Sequence, residues 1–417
     1  MSEQIEEIDI ENVKVTFPDG DIKKYPKTLL LLDLLKHPSL SNPDIICLLV
    51  NGEVKSLNSK ISFGIAKVSP ILVKSSEGAS AYRRTLVKIF ATAVHKLYSK
   101  EFNVIIHHGV NNGYLVKKVD LKDFTEEEIK KIKEKMEELI KKDLPIDEVE
   151  LSNDEALNYF NSIKHYYSAS LIETNNYDIV KCSCLDKFLT LFFRPMGKST
   201  GVIKDFDVRL SSDKNSLLLL FPTVTRPIPK NLEDIETVMK SKSYARSFQY
   251  SKKINVQCVG DWNKHVISSP QKLKELILTM SMNQEREINL IAEKISEKVI
   301  NGKVKFIGIA GPSASGKTTF SKKLGLSLKS LGIETIVIGM DDYFVEREQT
   351  PLDENGDYDF ESVHALNLDM LNEHLGKLFA GEEVTLPKFD FTTGKGSLTG
   401  PTIRLNKDDV LVMEGIH

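Results

Sequence analysis

The segment that most constrains this chain is Gly311-Pro-Ser-Ala-Ser-Gly316-Lys317-Thr318, which satisfies G-x-x-x-x-G-K-[ST] in full. An apolar run of β type, 304–310, precedes it, and 319–331 reads as a helix. Strand, glycine-bounded loop and helix in that order specify a phosphate cradle. The two glycines let the backbone curl so that several N–H groups face one anion. The helix N-terminus adds its partial positive charge. On this reading Gly311, Pro312, Ser313, Ala314, Ser315, Gly316, Lys317, Thr318 and Thr319 hold the phosphates of ATP. Lys317 reaches the β- and γ-phosphates, and the Thr318 hydroxyl is a ligand of Mg²⁺.

A second apolar strand is predicted over 334–340 and ends in Asp341-Asp342-Tyr343-Phe344. Functional side chains of open α/β sheets project from the carboxyl ends of their strands. Two aspartates there can supply a base for an attacking hydroxyl and a partner for Mg²⁺. A third apolar strand is predicted over 410–413.

Taken together, GPSASGKTT, MDDYF, DYDFES (357–362), LPKFDF (386–391) and VLVMEGIH (410–417) resemble, in their order, the uridine kinase and phosphoribulokinase family. The resemblance implies a P-loop kinase fold, with Asp341 as the catalytic aspartate beside Lys317, Asp359 on the ribose hydroxyls and Glu414 as the Walker B-like acid, whose carboxylate would face the Mg²⁺ shell; the implied metal-holding set is Thr318, Glu414 and Asp341. Two departures stand out. The family's base-reading Tyr and His positions fall on Phe389 and Gly394, so Phe389 and Phe391 offer stacking without hydrogen-bonding handles. Three strands are legible where the family's sheet has about five, and no Arg-bearing lid is present. The resemblance therefore implies a kinase domain that is incomplete within 303–417.

The remaining 302 residues exceed what one further domain needs. Net charge is −3, which gives no global drive toward nucleic acid or acidic membranes. No apolar run approaches the roughly 18 residues of a membrane span, and the acidic N-terminus MSEQIEEIDIEN is not a targeting peptide. Cys47, Cys182, Cys184 and Cys258 are too scattered for a disulfide scaffold. A cytoplasmic location follows as the expectation.

Residues 8–75 read as hairpin, short helix over 28–35, buried strand over 45–50, an Asn51-Gly52 turn and a last strand over 71–74. FPDG (17–20), the leucine helix and VNGE (50–53) resemble the TGS domain of threonyl-tRNA synthetases, a β-grasp interaction module. Residues 80–142 carry two helices, the second opened by a Thr125/Glu128 capping box and lined by Ile129, Ile132, Met136, Leu139 and Ile140. TAVHKLY (92–98), KKDLP (141–145), EALNYF (155–160) and Ser199-Thr200-Gly201 resemble the second additional domain of threonyl- and alanyl-tRNA synthetases. That family hydrolyses mischarged tRNA with two His on one helix and a later Cys and His. Those positions fall here on Arg84, Lys88, Phe192 and Met196, which cannot replace the set. The domain is thus expected to be a scaffold or binding surface. Arg83, Arg84, Lys88 and Lys96 are either phosphate contacts or ordinary helix-surface cations, and the acidic total charge favours the second. Residues 271–300 read as one or two amphipathic helices ended by Asn301-Gly302.

The expected organisation is a multidomain α/β chain. It comprises a β-grasp domain over 1–76, an α+β second-additional-domain-like domain over 77–222, a mostly helical connection over 223–302 and a P-loop domain over 303–417. The expected activity is ATP- and Mg²⁺-dependent transfer of the γ-phosphate to a small nucleoside-like substrate, at the 5′-hydroxyl of uridine or cytidine. The alternative is a nucleotide-gated protein with a degenerate kinase domain that binds tRNA or a ribonucleoprotein through 1–222. Oligomerisation is left open by both readings.

Overall fold

The computed structural model describes residues 11–417 apart from 62–63, 100–101, 111, 121, 176, 212–215, 224–226, 231–245, 313, 353–356 and 417. The chain divides into two compact units, Met1–Pro270 and Gln271–His417. That boundary falls inside the segment 223–302 that reads as a connector in the sequence.

The first unit opens with β1 (Asn12–Thr16), β2 (Ile22–Pro26), β3 (Ile45–Val50), β4 (Glu53–Ser56) and β5 (Ile65–Leu72), ordered β2-β1-β5-β3-β4 in one sheet. Alternation puts Val13 and Val15 into the core with Phe17, and Gly20 (φ 88°) closes the first hairpin. Asn51 and Gly52 both have positive φ, as a two-residue turn between β3 and β4 requires. Two local expectations are corrected. The leucine-rich helix is a six-residue 3₁₀ segment, Leu31–Lys36, rather than a helix over 28–35. The last strand starts at Ile65 because Ala66 and Val68 alternate inward while polar neighbours point out.

The rest of the unit is α+β. It continues through α1 (Ser76–Tyr98), β6 (Val104–Val110), β7 (Gly113–Lys118), α2 (Glu126–Lys141), β8 (Asp147–Ser152), α3 (Asn153–Ser162), α4 (Tyr166–Thr174), β9 (Ile179–Leu185), β10 (Phe188–Leu191), β11 (Asp207–Leu210) and β12 (Leu217–Leu220) to α5 (Val259–Ser268). The sheets run β11-β12-β7-β6 and β10-β9-β8. The capping box of α2 is formed in both directions, with Glu128 N donating to Thr125 Oγ1 (3.2 Å) and Thr125 N to Glu128 Oε2 (2.7 Å). Ile129, Ile132, Met136 and Leu139 are buried on its inner face, each contributing on the order of 1.5–3 kcal/mol, while Ile140 stays at the margin.

The second unit begins with α6, a single helix (Pro270–Ile300) stopped by Gly302 at φ 67°. Its inner stripe is Ile288 and Ala292, both buried, with partly buried Ile295 and Val299, packed on Leu324 and Leu328. Ile277, Ile291 and Ile300, which share the sequence periodicity, are exposed. There follow β13 (Phe306–Ala310), α7 (Lys317–Ser330), β14 (Thr335–Gly339), α8 (Leu368–Phe379), the short strands β15 (Glu383–Thr385), β16 (Lys388–Asp390), β17 (Lys395–Ser397) and β18 (Thr402–Arg404), and β19 (Val410–Gly415). Among the described residues β13-β19-β14 form a parallel three-stranded sheet. Val410, Leu411 and Val412 of its central strand are fully buried, as parallel strands covered on both faces must be.

Candidate functional site

Register fixes the site. Glu414 pairs with Ile309 of β13 and with Gly339 of β14, so the carboxyl ends of the three strands lie level. The loop after β13 turns back on the same edge, where Gly311 N donates to Gly415 O at 3.2 Å. Ala314 (φ 57°) and Gly316 (φ 85°) adopt left-handed backbone, and Gly316 caps α7. Only glycine holds the second conformation without strain. Ser313 lies outside the described residues.

The side chains of the motif converge. The Thr318 hydroxyl donates to Glu414 Oε1 at 2.6 Å, although 96 residues separate them, and Glu414 is only 7% exposed. Lys317 Nζ donates to Pro312 O at 2.9 Å across the loop. A groove of about 490 Å³ runs beside the loop past Ala310, Ser315, Lys317 and Thr319 to Lys323 and Gln284.

A hydroxyl and a buried carboxylate together are hard oxygen donors, which suits Mg²⁺. That ion takes one or two protein oxygens and completes its shell with phosphate and water. Among the described residues no group of three or more His, Cys, Asp or Glu side chains gathers as a self-sufficient metal cage.

The paired aspartates have different surroundings. Asp341 stands exposed in the 3₁₀ turn Met340–Tyr343, immediately after β14. Asp342 turns toward β16, accepting from Phe389 N at 3.2 Å and pairing with Lys388 at 3.6 Å. Tyr343 is buried beneath, its hydroxyl within 3.1 Å of His374 Nδ1. Burial pushes that phenol up to about 12 and lowers the imidazole, so both are neutral near pH 7.

Phe389 (buried) and Phe391 (58% exposed) meet edge-to-face at 5.0 Å, and Phe344 contacts both as well as Phe360. Asp359 adjoins this aromatic group through its neighbour Phe360, and its Oδ1 accepts from Glu361 N at 3.0 Å. Gly394 has φ 71°, and a Cβ there would lie 2.7 Å from Arg347 Cβ. Arg347 fills that space and donates to Phe391 O. The position thus excludes a histidine on backbone and steric grounds.

Sequence reasoning missed a cavity of about 380 Å³ beyond β14, bordered by Asp342, Phe344, Glu346, Gln349, Asn367 and Ser397. These residues come from three separate segments and share no motif. The one available signal was the MDDYF turn that supplies its first wall.

Residues 306–417 match the model of the Phosphoribulokinase / Uridine kinase family. The C-terminal segment therefore carries a P-loop kinase-family domain. A solved structure described as a possible uridine kinase from Bacillus stearothermophilus is 28% identical, with coverage of 30% of this chain and 68% of that one, at a TM-score of 0.25. The N-terminal half has other relatives. The threonine–tRNA ligase of Thermotoga petrophila is 33% identical over 198 residues, 46% of this chain and 30% of that protein. That of Carboxydothermus hydrogenoformans is 25% identical over 232 residues, 53% of this chain and 36% of that protein. The chain spans about a third of the length of these curated relatives.

In the first unit, Arg84, Lys88 and Met196 line a cavity of about 470 Å³, which Phe193 rather than Phe192 borders. Lys88 Nζ donates to Ser183 O, Phe188 O and Thr190 Oγ1 at 2.8–3.0 Å, and burial pulls its ammonium down to about 7. Arg84 is held by Pro195 O and Glu77, Lys96 by Asp186 at 2.6 Å, and Arg83 by Ser80. These four cations are engaged within the fold. No described helix is long and apolar enough to cross a membrane.

Proposed function

We propose that the second unit is an ATP- and Mg²⁺-dependent phosphotransferase acting on a hydroxyl of a small nucleoside-like substrate, with the 5′-hydroxyl of uridine or cytidine as the acceptor. The observation that carries this reading is the Thr318–Glu414 hydrogen bond at the level ends of three parallel strands, directly beneath the glycine-bounded loop. The loop N–H groups and Lys317 would hold the phosphates, and Thr318, Glu414 and Asp341 would hold Mg²⁺. The ion supplies charge neutralisation on the phosphoryl oxygens when bound. Asp341, exposed at the end of β14, would accept the proton of the attacking hydroxyl. Asp359 would bind the ribose hydroxyls, and the Phe389/Phe391 pair would stack on the base. Positioning and electrostatics would supply most of the rate.

The test is phosphoryl transfer from ATP to a panel of nucleosides by the wild-type chain and by Asp341→Asn. The variant is expected to lose roughly 10²–10⁴-fold in turnover at saturating ATP and Mg²⁺, the usual worth of a general base. Full turnover by Asp341→Asn would refute the assigned role.

The threonine–tRNA ligase relatives of the N-terminal half favour a second reading, in which TGS-like and second-additional-domain-like parts of 1–222 bind tRNA and nucleotide binding gates that contact. Salt-sensitive tRNA binding by the full chain supports it, and no binding at low salt refutes it. Both readings place the protein in the cytoplasm.

A further inference from the structure

The groove beside the phosphate loop has a wall that the family-matched segment does not contribute. Gln284, on α6, lies 22 residues before Phe306, where that segment starts. It nevertheless lines the same groove as Ser315, Lys317 and Thr319. Packing fixes its place. Ile288 and Ala292, one and two turns further along α6, are buried against Leu324 and Leu328 of α7, and Ser327 Oγ donates to Asn289 Oδ1 at 2.7 Å. α6 is therefore bound along the helix that the loop opens.

The chemistry at Gln284 is directional. Lys323 Nζ donates to its side-chain Oε1 at 3.2 Å and also pairs with Glu285 at 3.9 Å. With one lone pair of the carbonyl oxygen taken by Lys323, the NH₂ group of the amide remains as a donor for a ligand in the groove. Phosphates belong at the loop end, over the N–H groups of Ser315 to Lys317. A group attached to them continues along the groove past Thr319 and Phe320 to Lys323 and Gln284. For a nucleoside triphosphate that group is the nucleoside, whose ribose hydroxyls and ring nitrogens are acceptors.

We propose that Gln284 donates a hydrogen bond to the nucleoside part of the bound triphosphate, making α6 a wall of the nucleotide site and the Gln284–Lys323 pair its nucleoside-positioning element. The inference rests on the proposed function, that the loop binds a nucleoside triphosphate. It assigns to the helix ahead of the kinase-family segment a role in affinity for the nucleoside.

The test separates nucleoside from phosphate. Affinities for ATP and for inorganic tripolyphosphate, both with Mg²⁺, are measured by calorimetry on the full chain. Wild type is compared with Gln284→Ala, Gln284→Glu and, as a control on the same helix, Arg286→Ala, with thermal melts to verify the fold. Gln284 is exposed, so the helix tolerates the changes. Loss of one neutral hydrogen bond predicts roughly two- to tenfold weaker ATP binding by both Gln284 variants. Tripolyphosphate affinity and the Arg286→Ala control should stay at wild-type values. Unchanged ATP affinity overturns the inference and leaves the phosphate cradle standing. Equal weakening of both ligands also overturns it, because Gln284 would then act through the loop. Wild type binding neither ligand would overturn the functional reading and the inference with it.

Discussion

Glu414→Gln is the most discriminating change in the second unit, because it keeps the shape of the site and removes one charge. Glu414 is 7% exposed and receives the Thr318 hydroxyl at 2.6 Å. A hydrogen bond to a charged acceptor contributes about 1.5–3 kcal/mol and one to an amide oxygen about 0.5–1.5, so the fold loses on the order of 1 kcal/mol. Relief of the desolvation that a buried carboxylate suffers opposes this loss. Stability should therefore stay within about 1 kcal/mol of wild type. Binding should respond very differently. A carboxylate supplied to a hard cation is replaced by a neutral oxygen, and losses at the supporting groups of metal sites run about 10–100-fold. The assay is titration of a fluorescent ATP analogue at a series of Mg²⁺ concentrations, alongside thermal denaturation without nucleotide. The Mg²⁺ requirement should rise by about one to two orders of magnitude while the melting temperature barely moves. An unchanged Mg²⁺ requirement, or a collapse in melting temperature, would show that Glu414 is a structural partner of Thr318 and nothing more.

Two further outcomes follow from the packing. Gly394→His combines a φ of 71° with a Cβ 2.7 Å from that of Arg347. It should destabilise the second unit by about 1–3 kcal/mol in urea denaturation rather than add a base-reading group, and a stable variant with sharpened pyrimidine preference would refute this. Lys88 is lowered to about 7 by burial, against about 10.5 when unfolded. Between those values the unfolded state binds a proton that the native state lacks, so first-unit stability should rise with pH from about 7 toward 10, the contribution of this group levelling off below about 7. Lys88→Met should flatten that slope while also leaving Ser183 O and Phe188 O without their donor, and a wild type with no slope over that range would refute the assignment.

Much of the second unit was legible because its chemistry is local. A loop that wraps phosphate needs its glycines, lysine and threonine at fixed spacing, and a buried parallel strand needs an unbroken apolar run. Both appear in consecutive residues, as do the capping box of α2 and the Asn51-Gly52 turn. Periodicity was a poorer guide on α6, where the same spacing fits more than one face. Only packing against Leu324 and Leu328 selects Ile288, Ala292, Ile295 and Val299 and leaves Ile291 in water. Likewise the motif that singles out Asp341 does not reveal what Asp342 touches, and it is the position of β16 that draws Asp342 to Phe389 N.

What the sequence alone determined is a glycine-bounded loop of G-x-x-x-x-G-K-[ST] pattern and the strands that precede it and follow it. Strand register decided the rest. By placing Glu414 opposite both Ile309 and Gly339, it brings a carboxylate to a hydroxyl 96 residues away. Helix packing likewise brought Gln284 to the groove and locked Lys88 onto three oxygens. Such meetings depend on which faces exclude water together, a property of the assembled chain that no short window of residues encodes.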